Sequence, residues 1–198
     1  MKFAKKAVLL VSVILILVVA APLVFAQSLR VRWDILTFLT PTSPGVPGGI
    51  ASAFADDGSR ITITGAGTFS VPADLPPQYQ SLINALGRRS VGDAPDGGGT
   101  WAVYAPGATR PSTSGTYVVT GLIRWDQKST VGFPTGLAIF LVDFSDGSHG
   151  VLTISCKPGI PAMFEGITMS KDYLDYYNRQ APSGNPFVDA NRTLFTLQ

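Results

Sequence analysis

The sequence has almost none of the side chains from which metal sites and disulfides are built. It contains one cysteine, Cys156, and one histidine, His149, in 198 residues. A single thiol cannot form an intrachain disulfide, and a zinc site made of Cys and His needs several such ligands. We therefore expect no metal and no other cofactor, and a fold that packing alone stabilises.

Motifs for nucleophilic catalysis and for nucleotide binding are also missing. No Gly-x-Ser-x-Gly elbow occurs anywhere in the chain. The glycine-rich run at 96–100 leads into a predicted strand, whereas a phosphate-binding loop leads into a helix. We therefore expect a binding protein, with an enzyme as the alternative.

The N-terminus has the layout of a secretory signal peptide. Three lysines precede a long apolar run, Pro22 interrupts it, and Val24-Phe25-Ala26 forms a small-x-small cleavage site. These features predict a signal peptide over residues 1–26 and a secreted protein, and the lack of disulfides suits a bacterial source. The alternative is an uncleaved membrane anchor through residues 7–26, the one case in which we expect membrane contact.

Charge is sparse in the rest of the chain. Three of the 15 basic residues, Lys2, Lys5 and Lys6, lie in the predicted signal peptide. The rest of the chain therefore has 15 − 3 = 12 basic residues against 13 acidic residues, a net charge of −1. A nearly neutral protein does not attract nucleic acid electrostatically. We therefore expect no nucleic-acid partner.

The stretch from Gly136 to Cys156 predicts a central β-hairpin. Two apolar runs flank Asp146-Gly147, a strong signal for a two-residue turn. Such a turn places Phe144 opposite His149. It also predicts a core face on which the first strand contributes Leu137, Ile139 and Leu141, and the second Leu152, Ile154 and Cys156.

The opposite face of this hairpin is also apolar, because Phe140, Val142 and Phe144 lie on it. We therefore expect a helix, a second sheet or another subunit to cover the hairpin. Because another subunit is one of these covering elements, an oligomer is one of the alternatives.

Elsewhere, apolar alternation and turn residues predict further strands, and helical spacing predicts two short helices. The strands are expected at 28–39, 50–55, 60–71, 100–104, 115–125, 162–168 and 193–197, with helices at 76–86 and 170–179. Asp57-Gly58 marks a second hairpin turn.

A Gly-Thr-aromatic triplet occurs three times, beginning at Gly67, Gly99 and Gly115. Glycine in a strand marks a bend or the close approach of another backbone, and the aromatic two positions later lies on the same face. We interpret the triplets as devices that curve a sheet. The predicted fold is mainly β, an antiparallel β-barrel (alternatively a β-sandwich) with two short α-helices.

The predicted organisation is one domain after the signal peptide. An N-terminal strand and a Pro/Gly-rich linker occupy residues 27–49, and the barrel domain occupies residues 50–198, with residues 27–39 belonging to the same domain.

Two residues are catalytic candidates. Glu165 is the one glutamate and lies in an apolar context, so it is either paired with an arginine (Arg124 or Arg179) or held in a pocket. His149 is either a cross-strand partner at the hairpin end or an acid or base at a barrel mouth. Aromatic residues on predicted strands are the ligand-binding candidates: Trp101, Tyr117, Trp125 and Phe140.

Four segments carry a family resemblance: 115–123 (GTYVVTGLI), 144–152 (FSDGSHGVL), 164–168 (FEGIT) and 191–195 (NRTLF). With them the chain resembles an uncharacterised family of secreted bacterial β-rich proteins, and the resemblance covers most of the chain after residue 26. It implies no activity. The fold is similar, by analogy, to allene-oxide-cyclase-like and dirigent-like barrels.

Three functions are consistent with this pattern. The first is a secreted β-barrel module that binds a small hydrophobic ligand or a protein partner. The second is a cyclase- or isomerase-type enzyme that uses the barrel cavity. The third is a carbohydrate-binding module with exposed tryptophans.

Overall fold

The computed structural model describes residues 28–40, 43–72, 95–129, 134–156, 165–179 and 189–198. These residues form twelve strands and, within the described ranges, no helix. The strands are β1 (Ser28–Thr37), β2 (Val46–Pro47), β3 (Ala51–Phe54), β4 (Arg60–Ile63), β5 (Ala66–Pro72), β6 (Asp96–Tyr104), β7 (Thr113–Ser129), β8 (Thr135–Phe144), β9 (His149–Cys156), β10 (Gly166–Lys171), β11 (Leu174–Tyr176) and β12 (Arg192–Leu197).

All twelve strands belong to one antiparallel sheet, which confirms the mainly β prediction. The main order is β11-β10-β9-β8-β7-β6-β5-β1-β12. The first residues of β6 pair with β5 and its last residues pair with β4, which in turn pairs with β3. The short β2 pairs with β1, so part of the predicted Pro/Gly linker joins the sheet.

The sheet is not closed, so the predicted barrel is not supported. Its main path ends at β11 on one side and at β12 on the other. The sheet nevertheless curls, because Thr193 of β12 donates a 2.6 Å hydrogen bond to the carbonyl of Ser155 on β9. Phe54, at the end of β3, also forms an isolated bridge with Asn178 through two backbone hydrogen bonds.

The helix predicted at 170–179 is wrong. β10 ends at Lys171, and Asp172 adopts a φ of +55° in the turn that leads into β11. Lys171 pairs with Leu174 across this turn. The spacing of the tyrosines suits a helix, but cross-strand pairing with β9 and β10 decides the conformation. The helix predicted at 76–86 and the signal peptide at 1–26 lie outside the described residues.

The central hairpin forms, but with a register one residue away from the prediction. The N–H of Phe144 donates to the carbonyl of Ser148, and Gly147 has a φ of +87°. The loop therefore has three residues and ends in a left-handed glycine, the next most common hairpin loop after the two-residue turn. His149 lies opposite Asp143 rather than Phe144.

This shift exchanges the two faces of β8. The buried side chains are Ala138, Phe140, Val142 and Phe144, whereas Leu137 and Ile139 are half-buried and Leu141 is exposed. On β9 the predicted core residues Leu152, Ile154 and Cys156 are buried. One extra loop residue is enough to invert one strand, because side chains alternate with a period of two.

Aromatic side chains occupy the interior of the curled sheet. Phe69 lies 5.3 Å from Trp125, 5.5 Å from Phe140 and 6.4 Å from Phe195, measured between ring centroids. Trp33 lies 5.8 Å from Phe140. All five are buried, so strands from distant parts of the sheet meet in one packed core.

Two of the three Gly-Thr-aromatic triplets, those at Gly67 and Gly99, lie at close approaches of the backbone, whereas Gly115 faces the side chains of Ser145 and Trp101. A Cβ at Gly67 would fall 2.2 Å from the carbonyl oxygen of Asp96, and one at Gly99 would fall 2.0 Å from that of Thr64. The aromatic members, Phe69, Trp101 and Tyr117, are all buried. Glycine therefore lets neighbouring strands approach while the aromatic ring fills the space on the same face.

No helix among the described residues is both long and apolar enough to cross a membrane.

Candidate functional site

His149 lies at the turn end of β9, on the surface. Its Nδ1 lies 2.8 Å from Oδ1 of Asp143, its cross-strand partner, and about three quarters of the histidine side chain is exposed. The pair is therefore a solvated contact at the end of the hairpin, and the cross-strand partner of His149 is Asp143 rather than the predicted Phe144.

A second charged contact at this turn is more enclosed. The ammonium group of Lys171 donates a 2.7 Å hydrogen bond to Asp146, and only 10% of the lysine side chain is exposed. The same nitrogen lies 4.6 Å from the ring centroid of Trp101 and 5.1 Å from that of Phe144. Lys171 therefore ties the hairpin turn to the aromatic core.

Replacing Asp146 with asparagine should reduce the pH dependence of stability in acid. The hydrogen bonds from Lys171 and then Ser148 lower the pKa of Asp146 from 3.8 to about 2. Because the folded chain has the lower pKa, the pair stabilises the fold above about pH 4, and this stabilisation is lost as the pH falls to about 2. The effect is modest, since 40% of the Asp146 side chain is exposed.

Urea denaturation at several pH values over this range measures the effect. We expect the wild type to lose more stability than Asp146→Asn between about pH 4 and pH 2. Equal losses in the two proteins would contradict the assignment.

Glu165 is paired with an arginine, as one interpretation of the sequence predicts, but with neither predicted partner. Its Oε2 lies 2.5 Å from Nη1 of Arg192, and the backbone N–H of Thr193 donates to Oε1. Arg124 pairs instead with Asp126 at 2.7 Å. The Glu165–Arg192 contact joins the start of β10 to the start of β12.

The two catalytic candidates lie at opposite ends of β9. His149 begins the strand, and Gly166, next to Glu165, pairs with Ser155 near its end. Six residues of strand separate these ends by about 20 Å. The structure therefore does not bring Glu165 and His149 together as an acid–base pair.

Burial and the nearby Glu165 carboxylate raise the pKa of Cys156 to about 11, so its thiol is protonated at neutral pH.

The four aromatic candidates lie in the interior. Trp125 and Phe140 both contact Phe69, and Trp101 and Tyr117 both contact Phe144. The indole N–H of Trp101 donates to the carbonyl of Thr116, and the hydroxyl of Tyr117 donates to the carbonyl of Thr64. The polar atoms of Trp101 and Tyr117 are thus satisfied by the backbone, whereas the indole nitrogen of Trp125 is buried without a hydrogen-bond partner among the described residues.

The opposite side of the same strands carries an apolar surface. We call it the outer face and define it by five side chains on β7 and β8: Val118, Ile123, Leu137, Ile139 and Leu141. Leu141 is 47% exposed, and Val118 and Ile123 on β7 are also exposed. A Cβ at Gly121 would lie 3.2 Å from Cδ1 of Leu141, so this leucine lies across the neighbouring strand.

The contribution of β7 to this surface was not predicted from the sequence. The register between β7 and β8 shifts between Leu122 and Arg124, so Ile123 is the extra residue of an irregularity and is exposed. The two consecutive apolar residues Leu122 and Ile123 are the signal in the sequence, because regular alternation would bury only one of them.

Comparison with protein-family models, curated proteins and solved structures finds no match for this chain.

Proposed function

We propose that this protein is a secreted module without catalytic activity that assembles with a second copy of itself through the outer face. The observation that carries the proposal is the two-sided apolar character of β8. One side of this strand lies in the aromatic core, and the other presents leucine and isoleucine to solvent. Exposed apolar patches of this kind mark interaction sites.

The packed interior favours an external site over an internal one. A ligand in the interior would have to displace the aromatic rings that contact one another around Phe69. Displacing them would expose several large apolar surfaces at once. The outer face needs no such rearrangement, because its side chains are already accessible.

Charged side chains beside the outer face suit a two-fold arrangement. Arg124 lies beside Ile139 on the neighbouring strand, and Asp143 lies two residues beyond Leu141 on β8. A two-fold axis near Leu141 would bring Arg124 of each copy towards Asp143 of the other, where they would share or exchange their partners within the chain, Asp126 and His149. Two sheets packed in this way bury their outer faces against each other at a spacing of about 10 Å.

The signal-peptide pattern at residues 1–26 supports secretion, and the separation of Glu165 from His149 supports a non-catalytic role.

Replacing Leu141 with lysine should weaken the assembly strongly. We expect the wild type to sediment as a dimer at micromolar concentrations and Leu141→Lys to dissociate at least about 30-fold more readily, because a charge at the centre of an apolar interface costs about 2 kcal/mol or more. Analytical ultracentrifugation over a concentration series measures both. The substituted residue is half-exposed, so the fold should be retained.

Leu197→Lys is the matched control. Leu197 is 40% exposed and lies on β12, outside the outer face. This variant should dimerise like the wild type. A wild type that remains monomeric at every concentration, or equal weakening by the two lysines, would overturn the proposal.

A further inference from the structure

A groove crosses the outside of β9, β10 and β11, next to the outer face. It has a volume of about 390 Å³, and its lining includes Val151, Thr153, Thr168, Ser170, Asp175 and Tyr177. None of these residues belongs to the outer face as defined above. Val151 and Thr153 lie directly opposite Leu141 and Ile139, so the groove adjoins the outer face and differs from it in its polar side chains.

Tyr177 stands at one side of this groove in a fixed position. Its hydroxyl donates a hydrogen bond to Asp56, in the turn between β3 and β4. The next residue, Asn178, forms the backbone bridge with Phe54. Both the backbone and the tyrosine side chain therefore fix this segment against the β3–β4 hairpin. The ring is nevertheless 55% exposed. An aromatic ring held in this way loses little entropy when a ligand stacks on it.

Hydroxyl groups and one carboxylate complete the groove. Thr153 and Thr168 lie directly opposite each other across β9 and β10, and both are half-buried. Asp175 is exposed at the edge, opposite Ser170. These groups offer a row of hydrogen-bond donors and acceptors beside the ring.

The charge of the groove decides which ligands suit it. Asp175 and the nearby Asp56 are acidic, and the described lining includes no lysine, arginine or histidine, so an anionic ligand would be repelled. An acyl chain would desolvate Asp175 and the threonine hydroxyls without replacing their hydrogen bonds. A neutral polyhydroxylated ligand avoids both costs, because it has an apolar C–H face for the ring and hydroxyls for the polar groups.

We propose that this groove binds a neutral oligosaccharide, with the ring of Tyr177 stacked on one pyranose and Asp175 accepting hydrogen bonds from its hydroxyls. The site is built from residues of one chain, so it does not require the assembly through the outer face. Its failure would show as lost binding with the sedimentation behaviour unchanged.

Isothermal titration calorimetry with the purified protein tests the proposal. The probes are cellopentaose, xylopentaose, mannopentaose and chitopentaose. We expect at least one to bind, and Tyr177→Ala to weaken that binding by about 10-fold through loss of the stacked ring. Tyr177→Phe keeps the ring and should retain most of the affinity, while Asp175→Asn should weaken binding with the fold intact.

Tyr173→Ala is the matched control, because Tyr173 is fully exposed in the turn before β11 and does not line the groove. It should bind like the wild type. The proposal is overturned if none of the four probes binds at millimolar concentration, or if neither Tyr177→Ala nor Asp175→Asn weakens binding relative to this control.

Discussion

Replacing Phe69 with alanine should lower the free energy of unfolding by about 3–5 kcal/mol, the range for a large aromatic side chain removed from a packed core. Phe69 is 2% exposed, and its ring contacts Trp125, Phe140 and Phe195. These partners come from three other strands, so the surrounding sheet cannot easily collapse into the space. The loss therefore includes both the transfer of the ring and the cavity left behind.

Urea denaturation followed by far-UV circular dichroism measures this loss. Tyr173→Ala removes an aromatic ring of similar size from a fully exposed position and should change stability by no more than about 0.5 kcal/mol. A loss below about 1 kcal/mol for Phe69→Ala would mean that the ring does not lie in a tightly packed interior.

Replacing Gly67 with alanine should cost about 3 kcal/mol or more, an unusually large effect for a single methyl group. The new Cβ would lie 2.2 Å from the carbonyl oxygen of Asp96 and 2.7 Å from Cα of Gly97. Both are backbone atoms of the neighbouring strand β6, so the two strands would have to separate. The Trp33 indole nitrogen, 2.7 Å away, would also have to move.

Gly121→Ala is the control for this effect. Its Cβ would meet Cδ1 of Leu141 at 3.2 Å, the end of a flexible and exposed side chain. Alanine also restricts the unfolded chain, which favours folding slightly. We expect a change within about 1 kcal/mol, measured by the same denaturation assay. Equal losses at the two glycines would show that the backbone clash at Gly67 is not the cause.

Local signals predicted the strands well. The hairpin turns at Asp57-Gly58 and Asp146-Gly147 both form, and in each the aspartate accepts hydrogen bonds from the backbone N–H and the hydroxyl of the following serine, Ser59 or Ser148. The loop length was not predictable from Asp-Gly alone, because two- and three-residue loops both use it. The one additional residue in the loop determines which side of β8 faces the core.

Long-range contacts account for the other differences. The spacing of Tyr173, Leu174 and Tyr177 is compatible with a helix, and only pairing with β9 and β10 makes this segment a hairpin. The context of Glu165 indicated an arginine partner, but Arg192 is brought to it by β12, which neighbours β1 in the sheet. Sheet order is not encoded in local patterns, so neither contact could be assigned from the sequence.

The outer face was foreseen in part. The two-sided apolar pattern of the hairpin predicted that something covers it, and another subunit was one of the alternatives. The register shift moved Leu137, Ile139 and Leu141 from the predicted core to this surface. The groove at Tyr177 was not foreseen, because its geometry depends on the turn of a distant hairpin that holds the tyrosine hydroxyl through Asp56.

Aromatic side chains fill the interior, and we propose that binding takes place outside the sheet. All three tryptophans, Trp33, Trp101 and Trp125, are buried in the core, so intrinsic fluorescence reports on the interior alone. The most direct test is a titration of the wild type with dodecanoate below its micelle concentration. We expect no change in tryptophan emission. A saturable change in intensity or wavelength would mean that an apolar ligand enters the interior, and would overturn the proposal that binding takes place outside the sheet.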